Sequence, residues 1–455
     1  MTEHSFDAIV LGAGPAGEVC AGRLADGGLT TAIVESDLIG GECSFYACMP
    51  SKGLLRPGEA LAEVRRIPGA AEAVTGALDV TAALRRRDEI VHDLDDSSMV
   101  PWLEDKSVAL FRGAGQLDGE RRIRVGDEVL SARTAVVVAT GSRAAVPPID
   151  GLREAEPWTN REATTAKEPP GRLAVLGGGV AGAELAQAWS TLGSQVTIVE
   201  ALDRLIAREE PFASEQVADA LRERGVDVRL GVKAIAVRAE GGGVTLELEE
   251  GPAVTADELL VAVGRRPNTD AIGLESVGIE PGGYLEVDDH LRVNGSDWLY
   301  AIGDANGRAL LTHSGKYQAR AAADVILGKD AAATADGPVS PRVVFTDPQV
   351  AAVGHTLASA EEAGLNVRAV DVGTSANAGG SFYGRNAPGT CRLVVDEDRG
   401  VVAGATFTGA EIADFLHAAT IAVVAEVPLE RLWHAIPSFP TRSEIWLYLL
   451  EEYGL

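Results

Sequence analysis

Two stretches of the chain show the same alternation of apolar and polar positions. The first, "FDAIVLGAGPAGEVCAGRLADGGLTTAIVE", is an apolar run, a glycine-rich turn, a segment of helical period and a second apolar run that ends at Glu35. The second, "GRLAVLGGGVAGAELAQAWSTLGSQVTIVE", repeats this order and ends at Glu200. The acidic residue follows the first glycine, Gly12 or Gly177, at the same distance in both copies. Short apolar runs on either side of a helix predict two βαβ units with parallel strands.

Each unit carries the glycine spacing that is typical of a dinucleotide site. The glycines allow a tight turn and a close backbone approach to a pyrophosphate at the positive end of the helix. The acidic residue accepts hydrogen bonds from ribose hydroxyls, and two such copies predict that the protein holds two dinucleotides. The residues assigned to the two sites are Gly12, Gly14, Pro15, Ala16, Gly17, Glu35 and Ser36, and Gly177, Gly179, Val180, Gly182 and Glu200.

Three later segments are strands that run into glycine turns. They read "TAVVVATGSRAAVPPI", "ELLVAVGRRPNT" and "WLYAIGDANG". The first two are expected to return the chain from one domain to the next. An aspartate at a strand end, as in the third, is by itself most often a cap or turn residue. The residues of interest here are Ala139, Thr140, Gly141, Gly264, Gly303 and Asp304.

Composition and charge narrow the class of protein. A chain of 455 residues predicts about three domains. With 40 basic and 67 acidic residues the formal charge is −27, which argues against nucleic acid or an anionic membrane surface as a partner. No apolar run approaches the roughly 20 residues that span a bilayer, and the start of the chain has no basic leader. We therefore expect a cytoplasmic protein.

The segment "GGECSFYACMPSK" raises the question of what Cys43 and Cys48 do. A regular helix separates residues five apart by about 7.5 Å along its axis, which is longer than the roughly 4.4 to 6.8 Å between the Cα atoms of a disulfide. A bond between them therefore needs a distorted turn. No second cysteine pair or histidine cluster supplies further metal ligands. A redox pair, a static disulfide and a metal site thus stay open for Cys43 and Cys48 until the family resemblance below, which favours the redox pair, whereas Cys20 and Cys391 read as buried packing residues.

Together these segments resemble the flavoprotein disulfide oxidoreductases, the pyridine nucleotide-dependent family of dihydrolipoamide dehydrogenase, glutathione reductase and mercuric reductase. The resemblance extends over nearly the whole chain, and "FTDPQVAAVGHT" is similar to the opening of the family's interface domain. It implies that the first fingerprint binds FAD and the second NAD(P)H. It also implies that Glu35 holds the adenosine ribose of FAD and Asp304 the ribityl hydroxyls, and it adds Gly41 to the cofactor-binding residues.

The same resemblance gives the cysteine loop its roles. Cys48 is implied to be the thiol that faces the flavin, and Cys43 the interchange thiol that meets substrate. Lys52 and Glu184 match positions that pair beside the flavin, where a cation stabilises thiolate and flavin anion. For the nicotinamide, an acid at Glu200 favours NADH over NADPH, although Arg204 lies close in sequence.

The C-terminus departs from the family pattern. The family ends with a His-Pro-Thr-x-x-Glu pattern, contributed across the dimer interface, in which the histidine is the acid/base of thiol exchange. Here "IPSFPTRSE" places Phe439 where the histidine would be, while Glu444 matches the glutamate. His434 does not align with the catalytic position. The loop residues Phe45, Tyr46 and Ala47 replace polar and glycine residues that are common in the family, which suggests an aromatic-walled pocket.

We therefore expect an α/β protein with two Rossmann-like dinucleotide-binding domains and a C-terminal α+β interface domain. The predicted domains are FAD-binding at 1–148 with 266–337, NAD(P)H-binding at 149–265 and interface at 338–455. The predicted function is a homodimeric oxidoreductase that passes electrons from NADH through FAD to a Cys43–Cys48 disulfide and on to a small-molecule acceptor, without the usual histidine.

Three alternatives stay open on the sequence alone. One is a diaphorase that reduces quinones or metal ions and has regulatory cysteines. The second is a thiolate-driven reductase of a ketone-type substrate, since ketopropyl-coenzyme M oxidoreductase/carboxylase also has phenylalanine at the histidine position. The third is a non-catalytic flavin-binding redox sensor.

Overall fold

A computed structural model describes residues 2–384, 387 and 389–455 of the chain. Its strands are β1 (Thr2–Leu11), β2 (Thr31–Glu35), β3 (Val108–Arg112), β4 (Gly115–Leu117), β5 (Arg122–Val125), β6 (Glu128–Val138), β7 (Ser142–Ala144), β8 (Arg172–Leu176), β9 (Gln195–Val199), β10 (Asp227–Arg229), β11 (Ala234–Glu240), β12 (Gly243–Leu248), β13 (Val254–Ala256), β14 (Glu258–Val261), β15 (Arg265–Pro267), β16 (Leu299–Ala301), β17 (Arg342–Val344), β18 (Gln349–Gly354), β19 (Val367–Gly373), β20 (Thr390–Asp396) and β21 (Val401–Gly409).

The α-helices are most regularly interspersed with strands in the two βαβ units. They are α1 (Pro15–Asp26), α2 (Gly41–Phe45), α3 (Cys48–Arg66), α4 (Val80–Ile90), α5 (Val100–Asp105), α6 (Asn160–Thr165), α7 (Val180–Thr191), α8 (Pro211–Glu223), α9 (Thr312–Ile326), α10 (Leu357–Glu362), α11 (Leu416–Val424), α12 (Leu429–Leu432) and α13 (Ile445–Tyr453). Within the described residues, no helix is long and apolar enough to cross a membrane.

The chain forms two compact units. The first contains the chain through Pro50 together with Arg87–Ala145 and Arg265–Gly337, and the second contains Ser51–Arg86, Val146–Gly264 and Pro338–Leu455. The predicted division into three domains follows a different criterion and stays a prediction.

The first unit is built on a sheet of strand order β3-β2-β1-β6-β5-β4, in which β16 also pairs with β6. The pairs β3-β2, β2-β1, β1-β6 and β6-β16 are parallel. Alternate residues of β1 enter opposite cores: Ala8 and Val10 pack on the side that contains Cys20, and Ile9 and Leu11 on the other. A sheet that is covered on both faces needs the continuous apolar run that the sequence has here.

The second unit repeats this construction. Its parallel sheet has the order β10-β9-β8-β14, and alternate residues of β8 again enter two different cores. An antiparallel sheet of order β17-β18-β21-β20-β19 follows, and its core contains Cys391. The predicted fold class is therefore confirmed, with two Rossmann-like parallel sheets and a C-terminal α+β part.

Cys20 and Cys391 are packing residues, as the sequence predicted. Both are fully buried. Burial raises the pKa of each thiol to about 12, so neither is a thiolate at neutral pH. Any thiol chemistry of this chain therefore belongs to Cys43 and Cys48.

Candidate active site

The first fingerprint lies at the carboxyl end of β1, where the chain turns into α1. Gly12 has φ +109°, and a Cβ at this position would lie 2.4 Å from the carbonyl oxygen of Ala139, so only glycine fits. A Cβ on Gly17 would lie 1.9 Å from the Gly12 carbonyl oxygen, which explains the close packing of helix on strand. Gly14 has no atom within 4 Å of an added Cβ, and no side chain caps the helix that it precedes. The helix N-terminus therefore keeps its backbone N–H groups for a ligand.

The acidic residue of this fingerprint is held in place by backbone amides. The Glu35 carboxylate accepts hydrogen bonds from the Ala13 N–H and the Asp37 N–H, both at 2.7 Å. Burial raises the pKa of Glu35 and these two hydrogen bonds lower it. Ser36, the next residue, is exposed. Glu35 is thus fixed at the end of β2 in the orientation that a ribose-binding carboxylate requires.

Gly41 and the residues after β6 approach the same region of the first unit. A Cβ on Gly41 would lie 2.9 Å from the Gly14 Cα. The Asn268 side chain donates to the Thr140 carbonyl at 3.0 Å, and its backbone N–H donates to the Gly141 carbonyl at 2.9 Å. Both contacts lie beyond the end of β6, next to the fingerprint turn.

Asp304 lies after β16 at the same edge of this sheet. Its carboxylate accepts a hydrogen bond from the Ser142 hydroxyl at 2.5 Å and lies 3.8 Å from the Arg265 guanidinium, which also faces Glu42 at 3.5 Å. Burial raises the pKa of Asp304, whereas Ser142 and Arg265 lower it. Sequence reasoning found Asp304 but missed Ser142 and Arg265, which hold it.

These residues fit an FAD. An uncapped helix N-terminus suits the pyrophosphate, a fixed carboxylate suits the adenosine ribose, and the partly buried Asp304 carboxylate at a neighbouring strand end suits polar hydroxyls. When bound, the flavin would supply two-electron transfer between a nicotinamide and a disulfide.

The second fingerprint repeats the first in the second unit. A Cβ on Gly177 would lie 2.6 Å from the Ala262 carbonyl oxygen, and a Cβ on Gly182 would lie 1.9 Å from the Gly177 carbonyl oxygen. Gly179 precedes α7 with no side-chain cap, and Val180 is the exposed first residue of that helix. Gly264, after β14, has φ +142°.

The Glu200 carboxylate is held as Glu35 is. It accepts from the Gly178 N–H at 2.6 Å and from the Leu202 N–H at 2.8 Å. The nearby Arg204 guanidinium donates to the Ala207 carbonyl at 2.8 Å. The acid at the strand end is therefore in place for a ribose, and the arginine is engaged with backbone.

The cysteine loop is the distorted turn that a Cys43–Cys48 bond requires. Helix α2 ends at Phe45, Tyr46 has the non-helical angles φ −131° and ψ −1°, and α3 starts again at Cys48. The Thr312 hydroxyl contacts both sulfur atoms, Cys43 at 3.0 Å and Cys48 at 3.5 Å. The expected aromatic wall is wrong for Phe45, which is buried at 3% exposure, because its ring packs below Gly40.

The electrostatics of the loop centre on Cys43. A hydrogen bond with Cys48 and burial both raise the pKa of the Cys43 thiol. The Thr312 hydroxyl and the Lys316 charge lower it. Both sulfurs also lie within reach of one hydroxyl, that of Thr312, which suits a pair that opens and closes. Sequence reasoning missed Thr312 and Lys316, which belong to no recognised motif.

Lys52 and Glu184 form the pair that the resemblance implied. The Lys52 ammonium lies 2.7 Å from the Glu184 carboxylate, whose side chain is 4% exposed. The other carboxylate oxygen accepts from the Phe345 N–H at 2.9 Å, and Lys52 lies 4.6 Å from the centre of the Phe345 ring. Phe345, which sequence reasoning did not place here, therefore completes the surroundings of this ion pair.

The residues of the C-terminal motif differ in their exposure to solvent. Phe439 is 78% exposed, and His434 is also exposed. Glu444 is buried, and its carboxylate accepts from the Gly379 N–H at 3.0 Å. Pro440 and Thr441 line a cavity of about 360 Å³. The glutamate thus holds a loop of its own unit, while the phenylalanine faces outward.

Comparisons with known proteins agree with this geometry. Residues 6–323 match the pyridine nucleotide-disulphide oxidoreductase family model, and residues 340–449 match the dimerisation domain of the same family. The chain is 33% identical to a dihydrolipoyl dehydrogenase of Haloferax volcanii over 96% of this chain and 94% of the relative. It is 30% identical to a mercuric reductase of Staphylococcus aureus over 97% of this chain and 81% of the relative.

A solved structure shows the same architecture. The Cu(II) complex of the HOCl-induced flavoprotein disulfide reductase RclA from Escherichia coli superposes with a TM-score of 0.86 at 26% identity, covering 98% of this chain and 99% of that one. The fold and site thus define an FAD-dependent oxidoreductase that uses NAD(P)H. The chain belongs to the pyridine nucleotide-disulphide oxidoreductase family.

Proposed function

We propose that the protein is a homodimeric, NADH-dependent FAD enzyme in which Cys43 and Cys48 form a redox-active disulfide. The observation that carries the proposal is that both sulfurs contact the Thr312 hydroxyl, in the same unit as the first fingerprint and Asp304. The dimerisation-domain match supports a homodimer.

The reaction at the cysteines is balanced by one NADH. NADH and the disulfide give NAD⁺, one thiol and one thiolate, so the S–S bond breaks, two electrons enter the sulfurs and the hydride's proton stays on one of them. The hydroxyl of Thr312 donates to the Cys43 sulfur at 3.0 Å and lies 3.5 Å from the Cys48 sulfur, so it is close to both products of the reduction.

NADH is favoured because of the position of Glu200. Its carboxylate is fixed by two backbone N–H groups at the end of β9. A carboxylate there accepts from a ribose 2′-hydroxyl and repels a 2′-phosphate. Arg204, which would favour a phosphate, is turned to the Ala207 carbonyl.

The acceptor must do without an acid at the histidine position, since the phenyl ring of Phe439 carries no proton. In thiol exchange, a leaving thiol of low pKa departs fastest. The enzyme should therefore favour disulfides whose leaving thiolate is stable by itself, or acceptors that take electrons alone. Reduction of metal ions is the second candidate, and the Cu(II) complex of RclA is the observation that favours it.

An acceptor series tests this proposal. NADH oxidation is followed with an aryl disulfide, 5,5′-dithiobis(2-nitrobenzoate), with lipoamide, with menadione and with Cu(II), in wild type, Cys43→Ser and Phe439→His. We expect the aryl disulfide to be reduced well and lipoamide poorly by the wild type. Phe439→His should raise the lipoamide rate by about 10² or more, because a positioned acid/base contributes about 10² to 10⁴, and should leave the aryl disulfide rate nearly unchanged.

Each alternative gives its own result in this series. If Cys43→Ser leaves every rate unchanged, the diaphorase interpretation replaces the proposal. If wild type reduces lipoamide as fast as the aryl disulfide, the reasoning from Phe439 is wrong. Rapid flavin reduction with negligible turnover on every acceptor would indicate a redox sensor.

A further inference from the structure

The first turns of α1 and α9 lie against each other beside the cysteine loop. A Cβ on Gly315 of α9 would lie 3.4 Å from the Ala16 side chain of α1. Thr312, at the start of α9, contacts both cysteine sulfurs. Residues four apart on a helix share a face, so Lys316 follows Thr312 on the side of α9 that carries the cysteine contact.

Lys316 is a cation without a local ion pair. Within the described part of the chain it forms no salt bridge, yet its charge lowers the pKa of two groups, the Cys43 thiol and the Glu18 carboxyl. It is partly buried. A surface lysine normally reaches solvent or a carboxylate, whereas Lys316 is partly buried one helical turn after Thr312, which contacts the Cys43 sulfur.

Glu18 is the second group whose pKa is lowered by the charge of Lys316. It lies in the first turn of α1, and its Oε1 is buried with no hydrogen-bond partner in the described structure. Burial raises its pKa to about 7, with Lys316 lowering it and Glu35 of β2 raising it. An unpartnered carboxyl oxygen that titrates near neutral pH is costly for a purely structural position.

Two titratable groups contribute to the pKa of Cys43: the Cys48 thiol raises it, and the Lys316 ammonium lowers it. Thiol exchange requires Cys43 to lose its proton to solvent and become a thiolate, a step in which no electron moves. With phenylalanine at residue 439, the C-terminal motif offers no base for that proton.

We propose that Lys316, balanced by Glu18, is a positioning residue that stabilises the Cys43 thiolate and so replaces the missing histidine base by a fixed positive charge. The inference rests on the proposed function of Cys43 as the interchange thiol. It assigns the two residues opposite effects: Lys316 favours the thiolate, and an ionised Glu18 weakens the effect of Lys316.

The test measures the thiol directly. Full-length FAD-loaded enzyme is reduced with excess phosphine reductant, the reductant is removed, and iodoacetamide alkylation of Cys43 and Cys48 is followed by mass spectrometry from pH 5 to pH 10. The variants are Lys316→Met, Lys316→Arg, Glu18→Gln and the double variant Glu18→Gln/Lys316→Met. Arg320→Met is the matched control, because Arg320 is an exposed cation one turn further along α9.

The variants are expected to change the rate of Cys43 alkylation in different directions. Lys316→Met should slow Cys43 alkylation at pH 7 about tenfold, since a cation at this range shifts a pKa by about one unit or more, and Lys316→Arg should restore it. Glu18→Gln should speed alkylation at pH 8, where Glu18 is ionised, and have no effect at pH 6, where the carboxyl is already protonated. In the Lys316→Met background, Glu18→Gln should change nothing.

Equal effects of Lys316→Met and Arg320→Met, or the same sign for Lys316→Met and Glu18→Gln, would overturn the inference. If Lys316→Met does not retain flavin, the Glu18→Gln variant alone tests the inference. The inference then requires that Glu18→Gln speeds Cys43 alkylation at pH 8 and does not change it at pH 6. Failure here is distinct from failure of the proposed function, which would appear as cysteine-independent turnover of every acceptor in wild type.

Discussion

A single side chain can decide whether a buried charge has a partner. Glu184 is a buried carboxylate with two partners, the Lys52 ammonium and the Phe345 N–H. A buried charge that loses its partner costs far more than the intact pair contributes. The Lys52–Glu184 pair should therefore affect the stability of the fold, separately from any role beside the flavin.

We expect Lys52→Met to lower the free energy of unfolding by about 1 to 3 kcal/mol, because it leaves one carboxylate oxygen of Glu184 without a partner. Adding Glu184→Gln should recover part of this loss, with a coupling of about 0.5 to 3 kcal/mol. Urea unfolding of the two single variants and the double variant, at a fixed FAD concentration, measures it. Strictly additive effects would show that the two side chains do not support each other.

Some site residues could be predicted from the sequence and others could not. The difference is whether a residue is fixed by a local motif or by packing between distant parts of the chain. Glu35, Glu200 and the Lys52–Glu184 pair follow from spacing or from family motifs, which fix a residue relative to its neighbours in the chain. Thr312 contacts Cys43 from 269 residues away. Such a contact depends on the packing of α9 against α1, and a single sequence contains no local signal for it.

At the scale of elements, the two βαβ units show that the three glycines of a fingerprint are needed for different reasons. The first and the last have no room for a side chain, whereas the middle one does. In both copies the last glycine lies against the carbonyl oxygen of the first, whereas the middle glycine has open space. The pattern of apolar runs predicted these elements correctly. A distorted turn between the cysteines was expected from the length of a disulfide, but its position at Tyr46 was not, because the loop sequence contains no strong helix breaker between the cysteines.

This difference gives a paired prediction in the second copy. Gly182→Ala should destabilise the protein by about 1 to 3 kcal/mol, as overpacked sites do. Gly179→Ala, at φ −70° and with no atom within 4 Å, should leave the melting temperature unchanged. It should nevertheless raise KM for NADH about tenfold, because a methyl group would stand where the pyrophosphate approaches the backbone. Flavin content should stay normal in Gly179→Ala, and an unchanged KM would show that NADH does not use this turn.

At the scale of the whole molecule, the repeated fingerprint and the C-terminal domain define the family, and the end of the chain defines the departure from it. The formal charge of −27 favours solubility and does not determine the fold. The residues predicted for the first half of the catalytic cycle, from nicotinamide to disulfide, are all present in the sequence. The second half lacks its histidine, so the acceptor is where this protein should differ from its dehydrogenase relatives.

The central claim is that Cys43 and Cys48 exchange electrons with the flavin. An anaerobic titration of the purified protein with NADH, recorded as visible spectra in wild type, Cys48→Ser and the buried-cysteine control Cys20→Ala, tests it most directly. We expect wild type and Cys20→Ala to show a long-wavelength thiolate-to-flavin charge-transfer band that Cys48→Ser lacks. If the flavin simply bleaches in all three proteins, with no such band, the cysteines take no part in electron transfer and the account is wrong.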